Sequence, residues 1–149
     1  MTPEVRVQEA PFDIAAEQAA LVAGQPQIGA VVAFTGLVRG APGTALELEH
    51  YPGMTETALA GLVAEARARW PLDGVRVIHR VGRLSPGEGI VLVLAASRHR
   101  RAAFEAAEFL MDYLKTKAPF WKREDGPDGA RWVDARDSDD SAAARWEIG

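Results

Sequence analysis

The order of apolar and polar residues along the chain predicts strands of two kinds. Residues 45–51, ALELEHY, alternate leucine with glutamate, which predicts a strand with one solvated face. Residues 28–39 form an apolar, β-rich run with two internal glycines, which predicts a buried strand. Further strands are predicted at residues 5–10, 74–84, 90–97 and 130–135.

Three other stretches have the spacing and boundary residues of helices. The first begins at Asp13, a good N-cap residue, and ends at about residue 24. The second is predicted to begin at Thr55 as its N-cap and to end at about residue 70, before a proline. The third covers about residues 98–117. Its apolar face is formed by Phe104, Ala107, Met111 and Leu114.

The predicted order is β-α-β-β-α-β-β-α-β. Because several strands follow one another directly, the sheet is expected to be mixed or largely antiparallel, with the helices packed on it. This is an α+β fold. A length of 149 residues fits one domain covering residues 1–149.

Composition excludes several classes of function. The chain has no cysteine, which excludes disulfides, thiolate nucleophiles and cysteine-ligated metals. Its three histidines are far apart in sequence, so we expect no histidine-based metal site. We also expect no bound cofactor. A net charge of -4 disfavours nucleic-acid binding. The chain has no apolar run of membrane-spanning length and no signal-peptide pattern, so we expect a cytoplasmic protein.

One group of cations begins the third helix, where Arg98, His99, Arg100 and Arg101 are consecutive. Helix N-termini carry partial positive charge, so cations there are unfavourable unless an anion binds. Free backbone N–H groups beside arginine and histidine suit a phosphate or a carboxylate. The alternative is a solvated basic run.

A second group of cations surrounds an apolar stretch in LKTKAPFWKRE, residues 114–124. A lysine held against aromatic walls loses hydration, and its pKa then falls. Such an amine can act as a nucleophile or a proton donor at neutral pH. The alternative for Lys115 and Lys117 is structural, because cations suit a helix C-terminus.

Three further residues have ambiguous patterns. Arg39 ends a predicted strand beside a glycine-rich loop, so it is either an anion ligand or a solvated side chain. Arg136 is surrounded by aspartates, which favours surface ion pairing. His79 lies within a predicted strand, which favours a packing role over catalysis.

Taken together, five segments closely resemble the catalytic (large) subunit of molybdopterin synthase, over about residues 28–146. These segments are GAVVAFTGLVR, LELEHYPGMTETAL, VIHRVGRLSPGE, SRHRRAAFEAAEFLMDYLKTKAPFWKRE and RWVDARDSD. The resemblance implies a hammerhead-like α/β fold. It also implies that cyclic pyranopterin monophosphate is converted into molybdopterin by installing a dithiolene. The sulfur would come from a C-terminal Gly-Gly thiocarboxylate on a small ubiquitin-like partner. A homodimer would form the core of a heterotetramer.

The resemblance also implies residue roles. Lys115 corresponds to a lysine that receives the thiocarboxylate and takes part in transfer. Lys122 corresponds to one that activates the substrate by proton transfer or charge stabilisation. The implied substrate-binding residues are Arg39, His99, Arg100, Arg136, Phe34 and Met111, the last two as pocket walls. Arg136 would reach the pocket from the neighbouring subunit. The loop after Arg39, GAPGTA, is short for this family, which leaves its role in closing over substrate open.

Other functions remain open at this point. A non-catalytic adaptor would dock the ubiquitin-like tail and would tolerate the loss of Lys122. A phosphate-metabolite binding module would use only the basic helix start and would need no protein partner. Nucleic-acid binding would show a steep dependence on salt.

Overall fold

The structure is a computed structural model that describes residues 4–118, 120–126, 129–133 and 146. These residues form eight strands and three helices. In chain order the elements are β1 (Val5–Gln8), α1 (Ile14–Val22), β2 (Ala30–Leu37), β3 (Ala45–His50), α2 (Met54–Arg69), β4 (Gly74–Arg80), β5 (Gly82–Leu84), β6 (Gly89–Ser97), α3 (Arg100–Lys117), β7 (Phe120–Gly126) and β8 (Gly129–Val133).

The first sheet has the strand order β1-β4-β6-β2. Only β1 and β4 pair in parallel, and the other neighbours are antiparallel. Successive side chains of its central strands point to opposite faces. Val77 and Val93 therefore pack against α2 and α3, whereas Ile78 and Leu92 pack near Leu21 of α1. Burial on both faces explains why β6 is an apolar run.

The second sheet has the order β5-β3-β7-β8 and is antiparallel throughout. Its apolar face forms a smaller core around Leu48, Val81 and Leu84. Phe120 of β7 packs against this smaller core and also against the main one. The start of β7 therefore lies at the junction between the two sheets.

The predicted α+β class and the largely antiparallel pairing are confirmed, but the expected single sheet is wrong. Residues 74–84 form two strands, because the chain turns at Gly82, which has a φ of 93° that favours glycine. β5 therefore joins the second sheet. The segment after α3 is also extended, so the second group of cations is divided between the end of α3, with Lys115 and Lys117, and β7, with Lys122 and Arg123.

The helix starts are partly as predicted. Asp13 caps α1, and its Oδ1 accepts a hydrogen bond from the backbone N–H of Ala16 at 3.0 Å. The predicted Thr55 cap is wrong, because α2 begins at Met54 after Gly53, whose φ is 85°. Glu56 then accepts a hydrogen bond from the Gly53 N–H at 3.1 Å. α3 begins at Arg100, two residues later than predicted.

Candidate active site

The register between β3 and β7 determines which side chains of β7 face the junction. Phe120 lies opposite His50, and Lys122 lies opposite Leu48. Directly paired residues of antiparallel strands point to the same face. Leu48 is 1% exposed in the smaller core, so Phe120 and Lys122 are on the inner face of the sheet. Arg123 is on the other face, where it pairs with Glu47 at 3.0 Å.

His79, near the end of β4, approaches this face from the first sheet. Its ring stacks on Phe120 with centroids 3.8 Å apart and planes 21° apart. Its Nδ1 lies 2.8 Å from the carbonyl oxygen of Arg80. A carbonyl can only accept, so Nδ1 carries the proton and Nε2 carries the lone pair of the neutral ring.

Burial lowers the pKa of His79 to about 3, from an ordinary value of 6.5. The hydrogen bond to the Arg80 carbonyl opposes this shift. The positive charges of Lys122, Lys115 and His50 lower the pKa further, in that order of size. These three groups therefore lie close enough to act on one buried imidazole, which is neutral at pH 7.

We call this group the lysine seam: His50, His79, Lys115, Phe120 and Lys122. Lys115 is exposed in the last turn of α3, and Lys122 is partly buried on β7. The fold thus brings together the two lysines that the sequence nominated as catalytic. Met111, one helical turn before Lys115, is 9% exposed and belongs to the main core.

The buried state of His79 predicts a dependence of stability on pH. As the pH falls below 6.5, the His79 imidazole takes up a proton in the unfolded chain but not in the folded chain. The stability contributed by the neutral, buried ring is therefore present above pH 6.5 and is lost as the pH falls toward 3. Between pH 7 and pH 5, His79 is expected to remove about 2 kcal/mol from the free energy of unfolding. Urea denaturation of wild type and His79→Phe at both pH values measures this difference. An equal loss in both proteins would contradict the prediction.

The first group of cations lines a separate hollow. This helix-start depression has a volume of about 380 Å³ and is lined by Gly29, Ala30 and residues 98–101. His99 is the N-cap of α3, and both His99 and Arg100 are exposed. Gly29 lies so close to α3 that a Cβ atom there would be 2.2 Å from the Arg98 carbonyl oxygen. Backbone groups and cationic side chains are therefore adjacent at the position where the sequence predicted an anion site.

The remaining predicted site residues are spread along β2. Phe34 is in the middle of this strand and is 41% exposed. Arg39 is exposed just beyond its far end. An eight-residue strand spans about 26 Å, so Arg39 and the helix-start depression lie at opposite ends of β2. Arg136 lies outside the described residues.

Two residues of the lysine seam were missed as site residues by the sequence reasoning. His79 packs in the core, as its pattern indicated, but its position beside both lysines depends on the contact between the two sheets. His50 ends an alternating strand, and only its register with Phe120 links it to the site. The alternation of side chains along a strand predicts neither contact.

Within the described ranges, no group of three or more histidine, aspartate or glutamate side chains is arranged to hold a metal ion. None of the three helices described is both long enough and apolar enough to cross a membrane.

Known proteins are similar to this chain in both sequence and fold. The family model described as MoaE protein matches residues 7–117. The molybdopterin synthase catalytic subunit of Mesorhizobium japonicum is 58% identical over 99% of this chain and 95% of its own length. The structure of molybdopterin cofactor biosynthesis protein E from Burkholderia multivorans is 56% identical, covers 99% of both chains and has a TM-score of 0.85.

A more distant structure shows the same architecture. The crystal structure of molybdopterin synthase from Staphylococcus aureus is 30% identical, covers 89% of this chain and 98% of its own, and has a TM-score of 0.81. The match extends over β1 to α3 in sequence and over nearly the whole chain in structure. The chain therefore belongs to the MoaE family, the family of the molybdopterin synthase catalytic subunits.

Proposed function

We propose that this chain transfers sulfur to cyclic pyranopterin monophosphate and so forms the dithiolene of molybdopterin. The sulfur donor is the C-terminal thiocarboxylate of a small ubiquitin-like subunit. The observation that carries the proposal is that Lys115 and Lys122 both act electrostatically on His79, which is buried and stacked on Phe120 at the junction of the two sheets. The lack of cysteine supports it, because a chain without thiols cannot hold a persulfide and must receive sulfur from elsewhere.

The lysine seam suits the arrival of an anionic tail. Its ammonium groups attract a thiocarboxylate, and Phe120 provides an apolar wall against which a Gly-Gly tail can pack. In each transfer, the thiocarboxylate sulfur forms a carbon–sulfur bond to the pterin side chain while an oxygen substituent leaves that carbon. Water then cleaves the acyl–sulfur bond, and the tail leaves as a carboxylate. We assign Lys115 to holding the thiocarboxylate. We assign Lys122 to donating a proton or stabilising the developing negative charge.

The substrate site is proposed to form across two copies of the chain. Among the described residues no strand pairs with the outer edge of β2, which exposes the apolar side chains of Phe34 and Leu37. Open apolar edges favour pairing with another strand. An antiparallel two-fold centred near Phe34 would set Arg39 of one copy opposite Gly29 of the other. Arg39 would then meet the helix-start depression of its neighbour, with Phe34 between the two sites.

This arrangement gives the substrate-binding assignment a physical basis. His99 and Arg100 of one copy and Arg39 of the other would bind the phosphate, which none of them could do jointly within one protomer. Arg136 is assigned to the same site from the neighbouring copy. Phe34 and Met111 are assigned to its walls. The homodimer would form the core of a heterotetramer with one small subunit at each end.

A single-turnover reaction tests the proposed function. The purified protein is mixed with the thiocarboxylated small partner and cyclic pyranopterin monophosphate, and dithiolene product is followed. The matched control uses the same partner ending in an ordinary carboxylate. We expect product only with the thiocarboxylate. Tight partner binding without product would contradict the proposal and favour a non-catalytic adaptor. Substrate binding without product and without need of a partner would favour a phosphate-metabolite binding module.

A further inference from the structure

We propose that the ion pair between Arg80 and Glu88 positions Arg39 for the phosphate of the substrate. The pair holds the turn at residues 85–88 against the backbone of Val38, the residue before Arg39. The proposal deepens the proposed function and rests on it, because it specifies how the Arg39 guanidinium is aimed at its ligand. Glu88 is a positioning residue, which acts through Arg39.

The turn between β5 and β6, at residues 85–88, is bonded directly to the end of β2. The backbone N–H of Val38 donates to the Glu88 carbonyl oxygen at 2.8 Å, and the Gly87 N–H donates to the Val38 carbonyl oxygen at 2.7 Å. The Val38 side chain is buried in the smaller core. The backbone and side chain of Val38 are therefore both held, so the turn sets the direction in which the chain enters Arg39.

The side chain of Glu88 holds this turn in shape. Its Oε1 accepts a hydrogen bond from Nη1 of Arg80 at 3.4 Å, and its Oε2 accepts one from the backbone N–H of Ser85. The Glu88 N–H donates in turn to the Ser85 carbonyl oxygen at 3.1 Å. The bond from Ser85 and, to a smaller extent, Arg80 lower the pKa of Glu88 below its ordinary value. The carboxylate is therefore charged at neutral pH.

Arg80 anchors the pair to the first sheet. It is the last residue of β4, and it is 7% exposed. Its Nε and Nη2 donate to the Glu9 carbonyl oxygen, just beyond β1, at 3.1 and 2.9 Å. Its Nη1 donates to the Gly89 carbonyl oxygen of β6 at 3.2 Å. A planar guanidinium bonded to both neighbouring strands has little freedom to move, so it fixes Glu88 to a rigid part of the fold.

The chain after Arg39 is constrained as well. A Cβ atom at Gly40 would lie 2.8 Å from the Thr44 hydroxyl oxygen and 3.6 Å from Cγ of Pro86, which belongs to the same turn. The Thr44 hydroxyl and backbone N–H both donate to the Ala41 carbonyl oxygen, at 2.7 and 3.2 Å. Arg39 itself is exposed. An exposed side chain on a backbone held at both sides loses less conformational freedom when it binds an anion.

Amide hydrogen exchange tests the first step, without turnover. Glu88→Ala removes both carboxylate contacts, whereas Glu88→Gln keeps an amide oxygen for the Ser85 N–H. The matched control is Glu65→Ala on α2, which removes an exposed carboxylate paired with Arg69 at 3.2 Å. We expect the Val38 N–H to exchange at least about tenfold faster in Glu88→Ala, at an intermediate rate in Glu88→Gln and unchanged in the control. Unchanged exchange in Glu88→Ala would overturn the proposal.

Equilibrium binding of cyclic pyranopterin monophosphate tests whether the ion pair acts through Arg39. We expect the Kd to rise about tenfold in Glu88→Ala and to stay within about threefold of wild type in Glu88→Gln. The single-turnover rate at saturating substrate should stay within about twofold of wild type, because the lost interaction is one of binding. In the Arg39→Ala background, Glu88→Ala should raise the Kd by less than about twofold. An equal rise in both backgrounds would mean a purely structural role and would overturn the proposal.

The two proposals fail separately. If wild type binds the substrate but forms no product with the thiocarboxylated partner, the proposed function fails, while the exchange and binding results still decide the role of Glu88. If product forms but the Kd is the same in wild type and Glu88→Ala, the proposed function stands and the positioning role fails.

Discussion

Replacing Lys122 by alanine is expected to lower the single-turnover rate by about 10²–10³-fold, as the loss of a proton donor or a charge-stabilising group does in other enzymes. Lys122 is on the inner face of β7, where Phe120 and Leu48 reduce its access to water. Charge stabilisation is stronger in such surroundings than in bulk water. Partner binding should persist, because Lys115 still offers a cation to the tail.

The chain offers a matched control on the same strand. Arg123 is adjacent to Lys122 but lies on the opposite face and pairs with Glu47 at 3.0 Å. Arg123→Ala removes a cation of similar size without touching the lysine seam, and its rate should stay within about threefold of wild type. Equal losses in both variants would show that net charge, rather than the Lys122 amine, controls the reaction.

A charge-conserving substitution tests whether Lys115 acts only by its positive charge. Lys115→Arg keeps a cation for the thiocarboxylate, whereas Lys115→Ala does not. If Lys115 only holds the tail, the arginine variant should bind the partner well and retain most of the rate. If Lys115 also takes part in transfer, both variants should lose rate while the arginine variant still binds.

Mixed dimers are expected to regain activity when the defects lie in different chains. Arg39→Ala removes one half of the proposed substrate site, and the double change His99→Ala/Arg100→Ala removes the other half. Each pure variant should lose about 10²-fold or more, because each leaves the phosphate without its charged hydrogen bonds. A purified mixed dimer contains one intact site, so its activity should be about half that of wild type.

The reverse combination gives the control. A chain carrying all three changes is paired with a wild-type chain. If each site is shared across the interface, both sites of this dimer contain one defective half, so the dimer should be inactive. A site contained in one protomer would instead leave it half active, and that outcome would contradict the shared site. All three residues are exposed, so the changes should leave folding intact.

The candidate site residues could be nominated from local patterns because they break local rules. Cations in the first turn of α3 oppose the helix dipole, and lysines beside Phe120 oppose the separation of charge from apolar surface. Such conflicts mark functional positions without any knowledge of contacts. Residues that obey local rules give no such mark, which is why His79 was interpreted as a packing residue.

The sequence by itself determined the α+β class and the largely antiparallel pairing, since period and composition are properties of neighbouring residues, and it nominated the lysines as candidates. Only the tertiary structure decided that the strands divide into two sheets, and that His79 and His50 meet Lys115 and Lys122 at their junction. It also decided that Arg39 and the helix-start depression are at opposite ends of β2. Such distances depend on strand order and register, which arise from packing between segments far apart in the chain.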